Sequence, residues 1–222
     1  MFINHFSSGS SYTDAVRYLT DFADQAVVLP LVLAIAIALA VQGWRRGAVT
    51  WLIVVAATFA ATAAAKLIFL SCSPVFGPMD IHSPSGHVAA ATVVTGGLAA
   101  MLTRRQVSIF PAAILAALVI GTSRLVLGMH SLPEVIFGAV IGLAGAAALM
   151  RYAGRPPELK LAPLIAVIIV IAGLFHGLHF PAEAAIRHTA FRAAQFIPAC
   201  RGTIEYLRHP AIEGSRAKPN AA

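Results

Sequence analysis

Polar residues suited to binding an anion stand at the ends of long apolar runs in this sequence. Residues 83–87 read S-P-S-G-H and precede one such run, while Lys66 and Arg124 each lie near the end of another. A helix that begins at Ser85 and Gly86 would expose backbone N–H groups to an anion, and the two cations would add full positive charges. Phosphate is the ligand that this combination favours.

Two histidines add acid–base chemistry to these residues. Phosphoryl transfer without a metal needs one neutral imidazole to attack phosphorus and one protonated imidazole to donate to the leaving oxygen. His87 and His130 could supply both. Glu134 follows His130 by four residues, so on a helix its carboxylate could hold the imidazole in one tautomer. The residues together predict a site of phosphoryl transfer.

Each of these residues also has an ordinary structural interpretation. Residues 84–86 could form a simple turn at a helix start, and Lys66 and Arg124 could extend to the membrane interface. Ser131 and Glu134 fit the S-x-x-E capping box, in which the carboxylate only closes a helix start. Their joint occurrence at helix ends on one face favours the functional interpretation, because ionisable residues at membrane depth are costly.

The composition places the chain in a membrane. Of 222 residues, 59% are hydrophobic and 11% are charged, which is too apolar for an ordinary soluble domain. Runs of about 20 apolar residues cross the hydrocarbon layer as helices. We predict an all-α, polytopic membrane helical bundle of about six spans, with the active site at its external face. The six spans are residues 26–43, 49–70, 86–102, 107–128, 132–150 and 163–180.

The distribution of basic residues predicts the orientation of these spans. The loops at residues 73–84 and 125–131 contain no Lys or Arg, whereas the loops after the first, third and fifth spans are basic. By the positive-inside rule the basic loops are cytoplasmic and the site is external. We expect a bacterial inner membrane protein whose active site faces the periplasm. The basic loop residues are Arg45, Arg46, Arg104, Arg105, Arg151, Arg155 and Lys160.

Three segments are predicted along the chain. Residues 1–25 form an external N-terminal segment, residues 26–180 the bundle, and residues 181–222 a basic C-terminal tail. The N-terminal segment is more acidic than basic, which argues against a signal peptide and for a retained first span. Residues 184–197 are amphipathic and are predicted to rest on the bilayer surface. A re-entrant sixth segment would move the tail to the other side.

A glycine pair in the fifth span predicts close helix packing. Gly138 and Gly142 have the G-x-x-x-G spacing. A contact inside the bundle is the favoured interpretation, and a homodimer through this span is the alternative. Cys72 and Cys200 are the two cysteines, and they imply no metal cluster.

The combined motifs resemble those of a known family. Lys66, the P-S-G-H at residues 84–87 and the S-R-x5-H-x3-E from Ser123 to Glu134 resemble the three-part signature of the type 2 phosphatidic acid phosphatase superfamily. These are membrane lipid phosphate phosphatases related to vanadium haloperoxidases. The resemblance implies that His130 is the nucleophile that forms a phosphohistidine and that His87 protonates the leaving group. It also implies that the phosphate oxygens are held by Lys66, Ser85, Gly86 and Arg124.

The sequence departs from the family pattern at two positions. The family's first motif reads K-x6-R-P, but Lys66 is followed by Ser73 and Pro74, so one phosphate-binding arginine is absent. His82, if protonated, could replace part of that charge. The third motif of the family ends in Asp, whereas Glu134 is one methylene longer. Both departures predict an activity that is weakened or specialised.

The leading hypothesis is a metal-independent phosphatase that acts on a lipid phosphate or pyrophosphate at the outer leaflet. Undecaprenyl pyrophosphate, phosphatidylglycerol phosphate, phosphatidic acid and lipid A phosphate all fit. We expect no cofactor, no metal and no nucleic acid, and the partners are the substrate and membrane lipids. The alternative is a catalytically weak or inert protein of the same fold that binds or transports lipid phosphates. A phosphatase for soluble substrates is a third hypothesis.

Overall fold

The computed structural model describes residues 8–71, 83–103, 105–179 and 182–196. Within these ranges the chain is helical, with one 3₁₀ turn at Gln106–Ser108 and no strand. The all-α prediction is therefore confirmed. The helices are α1 (Ser8–Asp21), α2 (Gln25–Val41), α3 (Arg45–Ser71), α4 (Gly86–Thr103), α5 (Ile109–Val126), α6 (Leu132–Tyr152), α7 (Leu161–Phe175) and α8 (Ala182–Phe196).

Five of the predicted spans are long and apolar enough to cross a membrane as helices, and they contain α2 to α6. The predicted sixth span is a 15-residue apolar helix, α7. It nevertheless runs the length of α2. At one end the Lys160 amide donates to Gln42 Oε1 over 2.6 Å, and at the other His176 Nε2 lies 3.0 Å from the Tyr18 carbonyl. The chain after α7 therefore emerges at the face where α2 begins.

Helix α4 occupies the centre of the bundle, where α3, α5 and α6 pack around it. The glycines of α6 allow its close approach. A Cβ added at Gly138 would collide with the Ser85 carbonyl, and one added at Gly142 would lie 2.6 Å from Thr92 Cβ. The G-x-x-x-G face is thus used inside the bundle, as the favoured interpretation predicted. A homodimer through α6 stays a prediction.

Three of the basic loop residues, Arg45, Arg46 and Arg151, lie at the end of the bundle opposite the predicted site residues. Arg45 and Arg46 lie in the first turn of α3, which begins four residues before the predicted start at position 49. Arg46 Nε donates to the Tyr152 carbonyl at the end of α6 over 3.2 Å. The ends of α2 and α6 and the start of α3 therefore form one face. Its cytoplasmic location stays a prediction.

Candidate active site

Glu134, in the first turn of α6, connects the two halves of the predicted site. Its Oε2 lies 2.8 Å from His130 Nδ1 and accepts from the Ser131 amide over 3.1 Å. Its Oε1 accepts a hydrogen bond from the Ser83 amide. The Ser85 amide donates to the Glu134 main-chain carbonyl over 3.0 Å. One residue therefore fixes the S-P-S-G-H stretch against His130.

The two interpretations of Glu134 are compatible. Helix α6 starts with a capping box, so the carboxylate closes the helix, and the same carboxylate also contacts the imidazole. An ionised carboxylate only accepts hydrogen bonds, so in neutral His130 the proton belongs on Nδ1. The lone pair is then on Nε2, which is the form that a nucleophile needs.

A Schellman motif at the end of α5 positions His130. The Met129 amide donates to the Arg124 carbonyl and the Gly128 amide to the Leu125 carbonyl, each over 3.0 Å. Gly128 has φ of 63°, in the left-handed region that glycine adopts at little cost. This turn ends α5 directly before His130. The glycine two residues before the histidine was a signal that sequence reasoning left unused.

Burial and neighbouring charges set the protonation of His130. Burial lowers the pKa of His130 below its ordinary value of 6.5, while the hydrogen bond and charge of Glu134 raise it in part. The positive charges of Arg124 and Lys66 lower the pKa further. The two cations are thus close enough to act on the histidine. The net effect favours neutral imidazole.

The start of α4 has the features of an anion site. Ser85 is fully buried, and its Oγ has no hydrogen-bond partner among the described residues. A Cβ added at Gly86 would lie 3.6 Å from Lys66 Cε, so the lysine side chain crosses the first residue of α4. Lys66 itself is buried. An orphaned hydroxyl, a helix N-terminus and a buried ammonium group at one place suit a phosphate.

His87, in the first turn of α4, has an acidic neighbour that sequence reasoning did not assign to the site. Its Nε2 lies 3.6 Å from Asp24 Oδ2. Asp24 caps the N-terminus of α2 by accepting from the Ala26 amide over 2.8 Å. The position of Asp24 directly before an apolar span was a usable signal, since the span starts on the face where α4 starts.

A cavity of about 310 Å³ opens beside this constellation, between α2, α3 and the start of α4. Residues Phe59, Thr62, Ala63 and Lys66 of α3 form one wall at helical spacing. Ile186 of α8 closes another side. The cavity is apolar along Leu29, Phe59 and Ala63 and polar at Asp24, Lys66 and His87.

Helix α8 packs on the end of α3. The Ser71 hydroxyl donates to the Ala190 carbonyl over 3.1 Å, and Ala190 is buried. Two residues of the apolar side of α8, Ile186 and Ala190, thus contact the bundle itself. Its predicted placement on the bilayer surface stays a prediction.

Several residues of the sequence argument lie outside the described residues, among them Ser73, His82 and Arg104. Ser73 and His82 both fall in residues 72–82, so the missing arginine of the first motif has no structural account here. Elsewhere in the described chain no three His, Cys, Asp or Glu side chains form a group that could hold a metal ion. Metal independence stays a prediction.

The structure brings the predicted site residues to adjoining helix ends on one face. Lys66 is on α3, Gly86 and His87 on α4, Arg124 on α5 and Glu134 on α6. Ser85 immediately precedes α4, and His130 lies two residues before the start of α6. Their catalytic and binding roles stay predictions.

Comparison with known proteins agrees with this geometry. The sequence profile of the PAP2 superfamily matches residues 71–157, which contain every predicted site residue except Lys66. The chain is 32% identical over 148 residues to a Klebsiella pneumoniae protein named "Uncharacterized 22.5 kDa protein in cps region", a match that covers 64% of this chain and 71% of the relative. No solved structure matches the chain. The chain is a helical membrane bundle with histidines, cations and a carboxylate at one set of helix ends. It belongs to the PAP2 superfamily, whose chemistry is that of phosphatases.

Proposed function

We propose that this integral membrane protein hydrolyses a lipid phosphate or lipid pyrophosphate at the outer leaflet, without a metal, through a phosphohistidine on His130. The observation that carries the proposal is the 2.8 Å contact between His130 Nδ1 and Glu134 Oε2. It leaves Nε2 of His130 with the lone pair that attacks phosphorus. The lowered pKa of His130 supports the same role, because it favours the neutral imidazole.

The proposed reaction has two displacements. In the first, the Nε2 lone pair of His130 forms a bond to phosphorus, and the bond from phosphorus to the leaving oxygen breaks. That oxygen is the lipid oxygen of a monophosphate or the bridging oxygen of a pyrophosphate, and protonated His87 gives its proton to it. In the second, a water molecule attacks phosphorus, the P–N bond breaks, and the electron pair returns to Nε2. His87 takes the proton of the water and is charged again. The products are the lipid alcohol and phosphate, or the lipid monophosphate and phosphate from a pyrophosphate.

The negative charge on the phosphate oxygens needs fixed donors during both steps. Lys66 and Arg124 supply positive charge, and the buried Ser85 hydroxyl supplies a hydrogen bond for which it has no other described partner. The N–H groups at the start of α4 add the positive end of a helix dipole. Donors held in place before the reaction lower the barrier most, because they need no reorganisation.

The cavity beside the site supports a lipid substrate. Its polar residues Asp24, Lys66 and His87 lie together, while Leu29 and Phe59 form apolar wall. A phosphate could occupy the polar part while the adjoining hydrocarbon contacts the apolar wall. A soluble sugar phosphate would leave that wall exposed to water, so the lipid is the better match.

The test is to trap the intermediate. Purified protein in detergent micelles is mixed with phosphatidic acid labelled with ³²P in the phosphate and is quenched in alkali within milliseconds. We expect an acid-labile, alkali-stable phosphoprotein that His130→Ala abolishes together with phosphate release. The matched control is His179→Ala, whose side chain is largely exposed and pairs with Asp21 away from the cavity. A phosphoprotein that persists in His130→Ala would contradict the proposal.

The same assay separates the proposal from its alternatives. Phosphate release should continue in EDTA, since two imidazoles and fixed cations suffice for this chemistry. Activity that is lost in EDTA and restored by a divalent ion would contradict metal independence. Saturable phosphatidic acid binding with neither phosphoprotein nor phosphate release across a panel of lipid phosphates would favour the inert lipid-binding protein instead.

A further inference from the structure

We propose that Asp24 is a positioning residue for the acid catalyst: its carboxylate keeps His87 protonated and oriented for donation to the leaving oxygen. This inference rests on the proposed function, in which His87 is the proton donor. It assigns a fifth helix, α2, to a site whose motif residues come from α3 to α6.

The geometry supports an electrostatic role. Asp24 Oδ2 lies 3.6 Å from His87 Nε2, which is an ion-pair distance but longer than a good hydrogen bond. Asp24 is buried and His87 is partly exposed, so the pair faces the cavity with little water around the carboxylate. At such a distance a carboxylate stabilises the charged imidazole over the neutral one. Its contact with Nε2 leaves Nδ1 to donate to the substrate.

The position of the carboxylate is set by the fold. The other oxygen of Asp24, Oδ1, accepts from the Ala26 amide over 2.8 Å and so caps α2. Two further bonds, from the Val27 and Val28 amides to the Asp24 carbonyl, attach the residue to the first turn. One oxygen of the side chain is held by its own helix, so the other can orient the neighbouring imidazole, as carboxylates orient the histidines that bind metals.

The other charged groups around His87 make a carboxylate there more useful. Lys66 of α3 lines the same cavity, and Arg124 of α5 adds a second positive charge to the site. Both disfavour a protonated histidine. Glu134 of α6 already contacts His130, and Arg187 and His188 of α8 are exposed beside Ile186. Asp24 lies at ion-pair distance from His87, where its charge opposes these positive charges.

A purely structural role as helix cap is the competing explanation, and one substitution separates the two. Asparagine is as good an N-cap as aspartate, because its side-chain oxygen accepts the same backbone hydrogen bond, but it carries no charge. Asp24→Asn should therefore preserve α2 and remove only the effect on His87. Asp21→Asn is the matched control, because Asp21 lies 3.4 Å from His179 in a similar pair outside the cavity.

The experiment measures kcat/KM against pH for the full-length protein in detergent micelles with two substrates. Dioctanoyl phosphatidic acid has a poor leaving group that needs protonation, whereas p-nitrophenyl phosphate has a good one that does not. For Asp24→Asn we expect the basic limb of the phosphatidic acid profile to move to lower pH, with an activity loss of about tenfold above it. The loss with p-nitrophenyl phosphate should be under about twofold. Thermal unfolding and the Asp21→Asn profile should match the wild type.

A double-mutant cycle completes the test. If Asp24 acts through His87, adding Asp24→Asn to His87→Ala should cause no further loss. An equal loss with both substrates, an unmoved basic limb or full additivity would overturn the inference. Should Asp24→Asn fail to fold, Asp24→Ser takes its place, because serine also caps a helix. If neither variant folds, the role of Asp24 is purely structural. Failure of the proposed function would look different, because wild-type protein would then form no phosphohistidine.

Discussion

At the scale of single residues, the side chain of Glu134 is one methylene longer than the aspartate expected at this position, and its two carboxylate oxygens contact different segments. One oxygen contacts His130 Nδ1 and the Ser131 amide, and the other accepts from the Ser83 amide across the site. An aspartate at the same backbone position would be one methylene shorter and would have to give up part of this set. Through these contacts the Glu134 carboxylate connects the two motifs.

Replacing the carboxylate by an amide tests its role in the reaction. Glu134→Gln should lower kcat by roughly 10²-fold with the fold intact, because the amide no longer stabilises the charge that His130 develops. It should also move the acid limb of the kcat/KM profile to lower pH, since both contributions of Glu134 raise the pKa of His130. Steady-state kinetics and thermal unfolding measure the two effects. Lower stability with an unchanged rate would leave Glu134 as a helix cap only.

The wild-type pH profile follows from the protonation of His130. Activity needs neutral His130, and a pKa below 6.5 keeps the imidazole neutral to lower pH. Activity should therefore persist below pH 6.5 on the acid side and fall on the basic side as His87 loses its proton, which gives a bell shape. Initial rates in constant ionic strength buffers from pH 4.5 to 9 would measure it. A profile with its acid midpoint above 6.5 would contradict a lowered pKa of His130.

At the scale of helices, the approach of α6 to α4 sets the geometry of the site. Glu134 accepts hydrogen bonds from the Ser83 and Ser85 amides. Gly138, one helical turn later, lies against the Ser85 carbonyl. The first turns of α6 therefore support the whole S-P-S-G-H stretch. The glycine spacing indicated close packing, but the element packed against it became clear only from the fold.

A single methyl group at this contact should displace the site. In Gly138→Ala the new Cβ would collide with the Ser85 backbone, so the stretch must shift, at a cost of about 1–3 kcal/mol in stability. We expect kcat to fall by about tenfold or more, because catalysis depends on sub-ångström placement. The control is Gly173→Ala in α7, where a Cβ meets nothing within 4 Å. If Gly138→Ala behaves like this control, the close contact does not set the site.

At the scale of the whole molecule, the predicted site residues lie at one face of the bundle, called here the reactive face, and Arg45 and Arg46 lie at the opposite, basic face. Helix α7 runs along α2 from the basic face to the reactive one, so α8 is on the side of the cavity, where Ile186 lines it. This arrangement decides between the two predicted positions of the segment after the sixth span. The positive-inside rule predicts that this side, with α8 and the site residues, is external.

Cysteine labelling in intact cells tests this placement. In a background of Cys72→Ser and Cys200→Ser, the positions for new cysteines are Met129, 50% exposed beside the site, Arg192 on α8, and Val107, 73% exposed at the opposite end. A membrane-impermeant maleimide should label Met129→Cys and Arg192→Cys from outside. Val107→Cys should react only after permeabilisation. The reverse pattern would contradict the orientation, and different behaviour of positions 129 and 192 would contradict the crossing of α7.

The sequence by itself determined the membrane class, the position of the helices and the candidate site residues. Apolar runs and basic loops are local properties, so the six predicted spans overlap α2 to α7. The P-S-G-H stretch and the spacing from Arg124 to Glu134 are likewise local, and the family match over residues 71–157 contains them. The type of chemistry was therefore predictable.

Only the tertiary structure decided which distant groups meet. Asp24 and His87 are separated by 63 positions and Ser83 and Glu134 by 51, and no periodicity relates them. Their contacts depend on how α2, α4 and α6 pack, and that packing depends on small residues such as Gly138 and Gly142 fitting against α4. The side of α8 follows from the contacts that the two ends of α7 make with Gln42, directly after α2, and with Tyr18 of α1. Local sequence sets helices because their hydrogen bonds are local, whereas the site forms where helix ends from across the chain converge.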